Sequence, residues 1–320
     1  MKKLFLTLLI ATIFLPLGSF ANQETNLSIS PIIVEKKIDP GKSAQEVLTV
    51  LNKSSKPMAV KVYAENFSAA DEFGGMVFDT EDNGEYTLKS WVKFDKSNLI
   101  INPKSSEKVT ITVDIPTNAE PGGHYGVVFF EPVIPKDSPD KSSLGISSRI
   151  GALFFVTASG EILEKGRVLG ATSADKCSGV QCSFKTARFR EWGPVPFQFK
   201  FENTGNVHVK VKGKIEIYNL FGMKVGDVAV DEKTVLPKST RYFDVKWLRE
   251  PLLGYYKAKL ILNYGSLNVT DRAQVGFWAF PWKIALIVLA FAVTIYFFWT
   301  RRRKKRARLN KNGLQREKMS

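Results

Sequence analysis

From residue 29 to residue 277 the chain alternates apolar and polar positions with a period of two, in short runs separated by turn residues. Met58, Val60, Val62 and Ala64 alternate with Ala59, Lys61, Tyr63 and Glu65, and Val109, Ile111, Val113 and Ile115 alternate with Thr110, Thr112 and Asp114. Further on, Val195, Phe197, Phe199 and Phe201 alternate with Pro196, Gln198, Lys200 and Glu202, and Val207, Val209 and Val211 with His208, Lys210 and Lys212. A strand turns successive side chains to opposite faces, so each run predicts a strand with one face in a core and the other toward water. Asp39-Pro40-Gly41, Pro121-Gly122-Gly123 and Asn203-Thr204-Gly205-Asn206 supply turns. No helical period interrupts this region. The expected product is all-β, with immunoglobulin-like antiparallel sandwiches.

Two apolar runs have no alternation. Met1-Lys2-Lys3 and the apolar residues 4–17 precede Ser19 and Ala21, the small residues a signal peptidase reads, so residues 1–21 are expected to be a cleaved signal peptide. Residues 284–299 are broken only by Thr294 and Tyr296. Extended back to Ala279, they make a helix of roughly 31 Å at ~1.5 Å per residue, long enough to cross a ~30 Å hydrocarbon layer. Pro281 is expected in its first turn, where it is tolerated. Trp278 and Trp282 at one end and Trp299 at the other suit the two membrane interfaces. The cluster Arg301, Arg302, Arg303, Lys304, Lys305, Arg306 follows at once and is retained on the cytoplasmic side. The expectation is a single-pass cell-membrane protein: a transmembrane helix over residues 278–300, everything before it extracytoplasmic, and a basic tail over 301–320 inside.

Charge then changes meaning. The formal net charge of +15 suggests nucleic acid, but residues 301–320 hold ten Lys/Arg and one Glu, and residues 22–282 carry only +3. A basic block beside a span is a stop-transfer and lipid-contact signal, so no nucleic-acid partner is expected.

The 255 residues from 22 to 276 exceed one ordinary sandwich, and they contain an ordered repeat. Asn52-Lys53-Ser54-Ser55 corresponds to Asn203-Thr204-Gly205-Asn206, Pro103-Lys104-Ser105 to Pro237-Lys238-Ser239, and Gly123-His124-Tyr125 to Gly254-Tyr255-Tyr256. This predicts one sandwich over residues 22–160 and a second over 161–277. Two insertions, 67–85 and 132–148, are expected as exposed loops or hairpins of the first. The first domain is slightly acidic (−4) and the second basic (+7 over residues 161–281).

Site chemistry is sparse. Cys177 and Cys182 enclose four residues, and in an exported domain they predict a disulfide. His124 and His208 are the two histidines and fall in different predicted domains, which argues against a zinc set, and the sequence places no orienting acid and nucleophile beside either for a catalytic triad. Residues 79–84 resemble the first half of a calcium loop, but the twelfth position is Ser90 rather than a bidentate Glu. Asn26, Asn52, Asn66 and Asn268 begin glycosylation sequons. No cofactor is expected and no enzymatic activity, a carbohydrate-active enzyme being the weakest reading.

The strand run 47–52, Lys56-Pro57, the strand from Met58, Asn102-Pro103, residues 109–116 and Pro121-Gly122-Gly123-His124-Tyr125-Gly126 come in order. With a signal peptide, a second β domain, one span and a basic tail, this order resembles the WxL-interacting surface proteins of bacteria. That resemblance implies two immunoglobulin-like domains, the first binding peptidoglycan and the second holding a surface-protein partner. The expected function is therefore tethering: attachment to a cell-wall polymer and retention of a protein. Phe73, Phe78 and Tyr86 are the candidate sugar platforms. The alternative is an anchored chaperone or assembly factor, which would expose an unpaired, apolar sheet edge to exported clients.

Overall fold

A computed structural model describes residues 26–81, 84, 86–133, 149–173 and 189–317. The expected signal peptide, Cys177 and Cys182, and most of the 132–148 insertion lie outside the described residues.

The alternating runs form two β-sandwiches in series. The first contains β1 (Leu27–Ser30), β2 (Ile33–Ile38), β3 (Ser43–Asn52), β4 (Met58–Ala69), β5 (Met76–Asp79), β6 (Val92–Phe94), β7 (Asn98–Ile101), β8 (Ser106–Asp114), β9 (Gly122–Pro132) and β10 (Ile150–Ala158). One sheet runs in the order β1-β3-β8-β6 and the other β2-β10-β9-β4-β5, with β7 also paired to β4. Between them lie Leu48, Val50, Val60, Val62, Val109, Ile111, Phe130 and Phe154. The apolar members of the two alternating runs in this half are thus buried, apart from the half-buried Met58 at the start of β4, as their period requires.

The second sandwich contains β11 (Gly166–Ser173), β12 (Phe189–Arg190), β13 (Val195–Asn203), β14 (Val209–Asn219), β15 (Lys224–Val235), β16 (Thr240–Trp247), β17 (Gly254–Tyr264) and β18 (Val269–Ala279). Its sheets run β11-β13-β16 and β12-β18-β17-β14-β15 around Phe197, Phe199, Phe201, Ile215, Phe243, Leu260 and Phe277.

The pairing is not wholly antiparallel as expected, since β2 pairs with β10, and β12 with β18, in parallel. Pro31 separates β1 from β2, and a residue without an N–H cannot carry the ladder onward. The chain crosses there from one sheet to the other, so that β1 lies beside β3 and β2 beside β10.

The repeated turns are one local structure used twice. Asn52 and Asn203 are both fully buried. Asn52 Nδ2 donates to the carbonyls of Lys56 at 2.8 Å and Ile101 at 3.0 Å, and its Oδ1 accepts from Ser54 N–H at 2.9 Å. Asn203 Nδ2 donates to the carbonyls of Val207 at 2.8 Å and Val235 at 2.9 Å, and its Oδ1 accepts from Gly205 N–H at 2.9 Å. Their backbone N–H groups donate to Ser105 O and Ser239 O respectively, beside Lys104 (φ 55°) and Lys238 (φ 53°).

The last element is α1 (Trp282–Glu317). Pro281 stands just before it rather than in its first turn, and its carbonyl accepts the Ala285 N–H at 3.1 Å. Among the described residues one helix is long and apolar enough to span a membrane, Trp282–Arg303, and none of its apolar window is buried against the sandwiches. The helix continues without a break past Trp299 through Arg301, Arg302 and Arg303 and the backbone of Lys304, Lys305 and Arg306, so the start of the basic segment is helical.

Candidate functional site: the seam between the sandwiches

A strand of a single sandwich buries alternate residues, yet Gly122–Phe130 of β9 are buried without a gap. Val128 and Phe130 enter the sandwich core, whereas Tyr125, Val127 and Phe129 point the other way. With Phe67 and Phe155 they form a second apolar cluster on the outside of the sheet, and Leu236 of the second sandwich packs against it. Tyr125 lies tilted or edge-on to both Phe67 and Phe155 at 5.8 and 5.7 Å, geometries that aromatic quadrupoles favour.

Directional bonds hold this seam at both sides. Tyr125 OH accepts the His208 N–H at 2.7 Å and lies 3.3 Å from His208 Nδ1, while the imidazole sits against Phe155 at 4.9 Å. Burial pushes the Tyr125 phenol above its usual range and His208 below its ordinary value, because neither charged form is solvated there. Gly123 N–H donates to Asn206 O at 2.8 Å, and Asn206 Nδ2 donates to Pro121 O at 3.1 Å and Glu161 O at 2.9 Å. A side chain at Gly122 (φ 138°) would put its Cβ 2.7 Å from Asn206 O, which explains the glycine.

On the other side, the β4–β5 hairpin reaches over to β13 and β16. Asp71 Oδ1 accepts the N–H groups of Gly75 and Phe73, both at 2.8 Å, which holds the turn and lowers the carboxyl below its ordinary range. Glu72 pairs with Lys200 at 2.8 Å, its carbonyl accepts the Tyr242 N–H at 2.6 Å, and Phe73 stacks on Tyr242 at 4.9 Å.

Two clefts open along the seam. One, of about 300 Å³, has Phe67, Leu153, Phe155 and Leu236 on its walls and Ile33 and Met76 at its rims, with Lys233 and Arg241 beside them. Arg241 Nη1 donates to Thr234 O at 2.6 Å, while its Nε is buried with no partner among the described residues. Burial lowers the pKa of both cations from the ordinary range, and for Arg241 the nearby Asp71 carboxylate works against that. The rims belong to β2 and β5, which end their sheet. There Ile33, Met76 and Val77 are exposed, so each rim is an unpaired strand edge carrying apolar side chains. The other cleft, about 690 Å³, is lined by Glu35, Lys37, Thr157, Leu163, Glu164 and His208 among others.

The residues singled out from the sequence fall as follows. Phe73 has one face on Tyr242, Phe78 meets Phe129 edge-on beneath the Arg149 guanidinium, and Tyr86 lies against Tyr125 with Lys238 over its ring. These rings pack on protein, and they are not gathered on one open surface. Asn52 and Asn66 are buried and hydrogen-bonded, so of the four sequons only Asn26 and Asn268 are exposed. His124 is also buried, with Nδ1 3.0 Å from Thr87 O and Nε2 3.1 Å from Glu120 O. Among the described residues no group of three His, Cys, Asp or Glu could hold a metal. Tyr125, Phe155, His208 and Arg241 were not chosen from the sequence. Tyr125 lies in the apolar run of β9 and Phe155 in that of β10, and such runs mark burial on both faces, whereas nothing in the sequence singles out His208 or Arg241 for the seam.

Fold and seam define a class: tandem immunoglobulin-like sandwiches joined through an aromatic interface and followed by a single apolar helix. No family model and no curated protein sequence matches the chain. Among solved structures it is similar to the class 5 fimbriae chaperone CfaA, at 16% identity and a TM-score of 0.41 over 79% of this chain and 99% of that one. It is also similar to the YadV chaperone, at 14% and 0.39 over 79% and 100%, and to the E. coli chaperone DraB, at 14% and 0.37 over 78% and 95%.

Proposed function

We propose that this protein is a membrane-anchored extracytoplasmic binding protein of the chaperone or assembly-factor kind, which receives an extended segment of an exported protein at the seam. With α1 as the span and its arginines on the cytoplasmic side, both sandwiches lie outside the cell membrane. The observation that carries the reading is the smaller cleft, because its apolar walls lie between two unpaired strand edges that bear Ile33 and Met76. An extended segment adds to such an edge through main-chain hydrogen bonds and sends alternate side chains into adjoining pockets. A volume of about 300 Å³ suits individual side chains of a peptide, being at the small end of ligand pockets.

The tethering reading keeps its protein-holding half here. Its wall-polymer half has less support, since the rings of Phe78 and Tyr86 have Arg149 and Lys238 over them and one face of Phe73 rests on Tyr242. The test is photocrosslinking in intact cells from position 76, with position 100 on β7 as control, alongside sedimentation of the full-length protein with peptidoglycan. A defined exported-protein adduct from 76 but not from 100 is expected, without sedimentation. Sedimentation with peptidoglycan and no protein adduct would overturn the proposal.

A further inference from the structure

The second sandwich has two ends. Its β13–β14, β15–β16 and β17–β18 turns meet the first sandwich or line the seam clefts. Strand register places the other end. Asn219 of β14 is opposite Tyr256 of β17, which is opposite Phe277 of β18, and Gly254 is opposite Ala279. Two residues beyond Asn219, Phe221 at the β14–β15 turn is therefore level with Ala279, three residues before the helix begins at Trp282. It lies two strands away, ~10 Å to the side. The β16–β17 loop leaves from Trp247, which pairs with Val195 at the start of β13, so Leu248 and the loop holding Trp192 share this end.

Every large apolar side chain just named in these loops faces outward. Phe221 is 82% and Leu248 81% exposed, and Leu220, Met223, Leu253 and Trp192 are exposed beside them. Scattered exposed apolar residues need no explanation, but a set gathered on three neighbouring loops at one end does. The tip is also prepared for a medium without water. Asn219 Oδ1 accepts the N–H groups of Phe221 and Met223, both at 3.0 Å, and the Gly222 N–H donates to Asn219 O at 3.0 Å. Three of its backbone donors, those of Phe221, Gly222 and Met223, are thus satisfied within the turn, which lowers the cost of entering an apolar layer. Arg249 Nη1 donates to Val225 O at 2.8 Å and ties the β16–β17 loop to this hairpin, and Lys283 pairs with Glu191 at 2.9 Å, which ties the helix to the β12–β13 loop.

We propose that this end of the second sandwich is a lipid-docking surface: the Leu220–Phe221–Met223 tip and Leu248 sit in the interfacial layer of the same bilayer that α1 crosses. The inference rests on α1 being a span. The occupant follows from continuity, because the tip and the first turn of the helix stand at one height and Trp278 and Trp282 mark that height as interface. Docking would hold the seam at a set distance and orientation above the membrane, which a single flexible tether would not.

The test uses the full-length protein, with Cys177→Ser and Cys182→Ser, in phosphatidylcholine nanodiscs. Single cysteines placed by Phe221→Cys, Leu248→Cys, Leu267→Cys and Val288→Cys carry an environment-sensitive fluorophore, and lipids spin-labelled near the top of the acyl chain act as quenchers. Loss of fluorescence at 221, 248 and 288, with none at 267 on the opposite end of the sandwich, is expected. Quenching at 288 but not at 221 or 248 would overturn the docking surface while leaving the anchor intact. No quenching at 288 would overturn the anchor and the docking surface with it. Shielding of 221 from an aqueous quencher without lipid quenching would assign the patch to a protein partner, against the proposal.

Discussion

Asn203→Ala is the sharpest test of how the second sandwich is held together. The side chain is fully buried and joins three backbone groups: it donates to the carbonyls of Val207 and Val235 and accepts the Gly205 N–H. Alanine leaves all three without that partner. At a net ~0.5–1.5 kcal/mol for each hydrogen bond, the loss should be about 2–4 kcal/mol. Asn203→Asp should cost at least as much at neutral pH, because it removes both donors, sets an acceptor against two carbonyls and buries a charge. The readout is amide hydrogen exchange of the full-length protein in nanodiscs, followed by mass spectrometry in peptides from β13 and β14 and, for comparison, from β3 and β8. A loss of that size accelerates exchange from the opened state by roughly 30- to 700-fold. It should be confined to the second sandwich, and Asn52→Ala should give the mirror result in the first. Acceleration below about threefold in β13 and β14 would refute the hydrogen-bond argument, and equal acceleration in both sandwiches would refute its locality.

Two further perturbations read the seam and its flank. Arg149 Nη1 donates to Glu65 Oε1 at 2.7 Å and to Tyr63 OH at 2.9 Å, so Arg149→Met strands a buried carboxylate. About a third of the arginine side chain is exposed, and discounted for solvent screening the loss should be about 1–3 kcal/mol, partly recovered by Glu65→Gln in the same chain. A urea midpoint unchanged by Arg149→Met would contradict this. His208 is held below its ordinary 6.5 chiefly by burial, with Glu35 working against that shift and Lys210 adding to it. The unfolded chain therefore takes up the proton first as pH falls, and stability should drop progressively from about pH 6.5 downward. Tm compared at pH 7.5 and pH 5 should fall further in the wild type than in His208→Gln, which keeps the backbone donor to Tyr125, and equal falls would remove His208 as the source.

Much of the fold was legible because period-two alternation is itself the signature of burial on one face. Val60, Val62, Val109, Ile111, Phe197, Phe199 and Phe201 were assigned inward by that rule and are buried. The Asn and Pro-Lys-Ser repeats were legible as well, since a buried Asn with its turn and a Lys at positive φ are local chemistry repeated in local sequence. The parallel pairing of β2 with β10 was not, because alternation says which face is buried and nothing about which neighbour runs alongside. The aromatics of the 67–86 stretch read as exposed platforms for the same reason: composition marks Phe73, Phe78 and Tyr86 as ring surfaces but cannot say whether sugar or protein meets them.

The sequence by itself determined the all-β class, the tandem arrangement, the inward side chains of most strands and the apolar helix with its basic end, because each depends on residues near one another in the chain. Only the tertiary structure decided that the outer face of β9 is a second core, that Tyr125 and His208 meet across 83 residues, and that Ile33 and Met76 rim one cleft. Those contacts depend on how one sandwich sits on the other, and that is set by packing between surfaces distant in sequence, where periodicity carries no information.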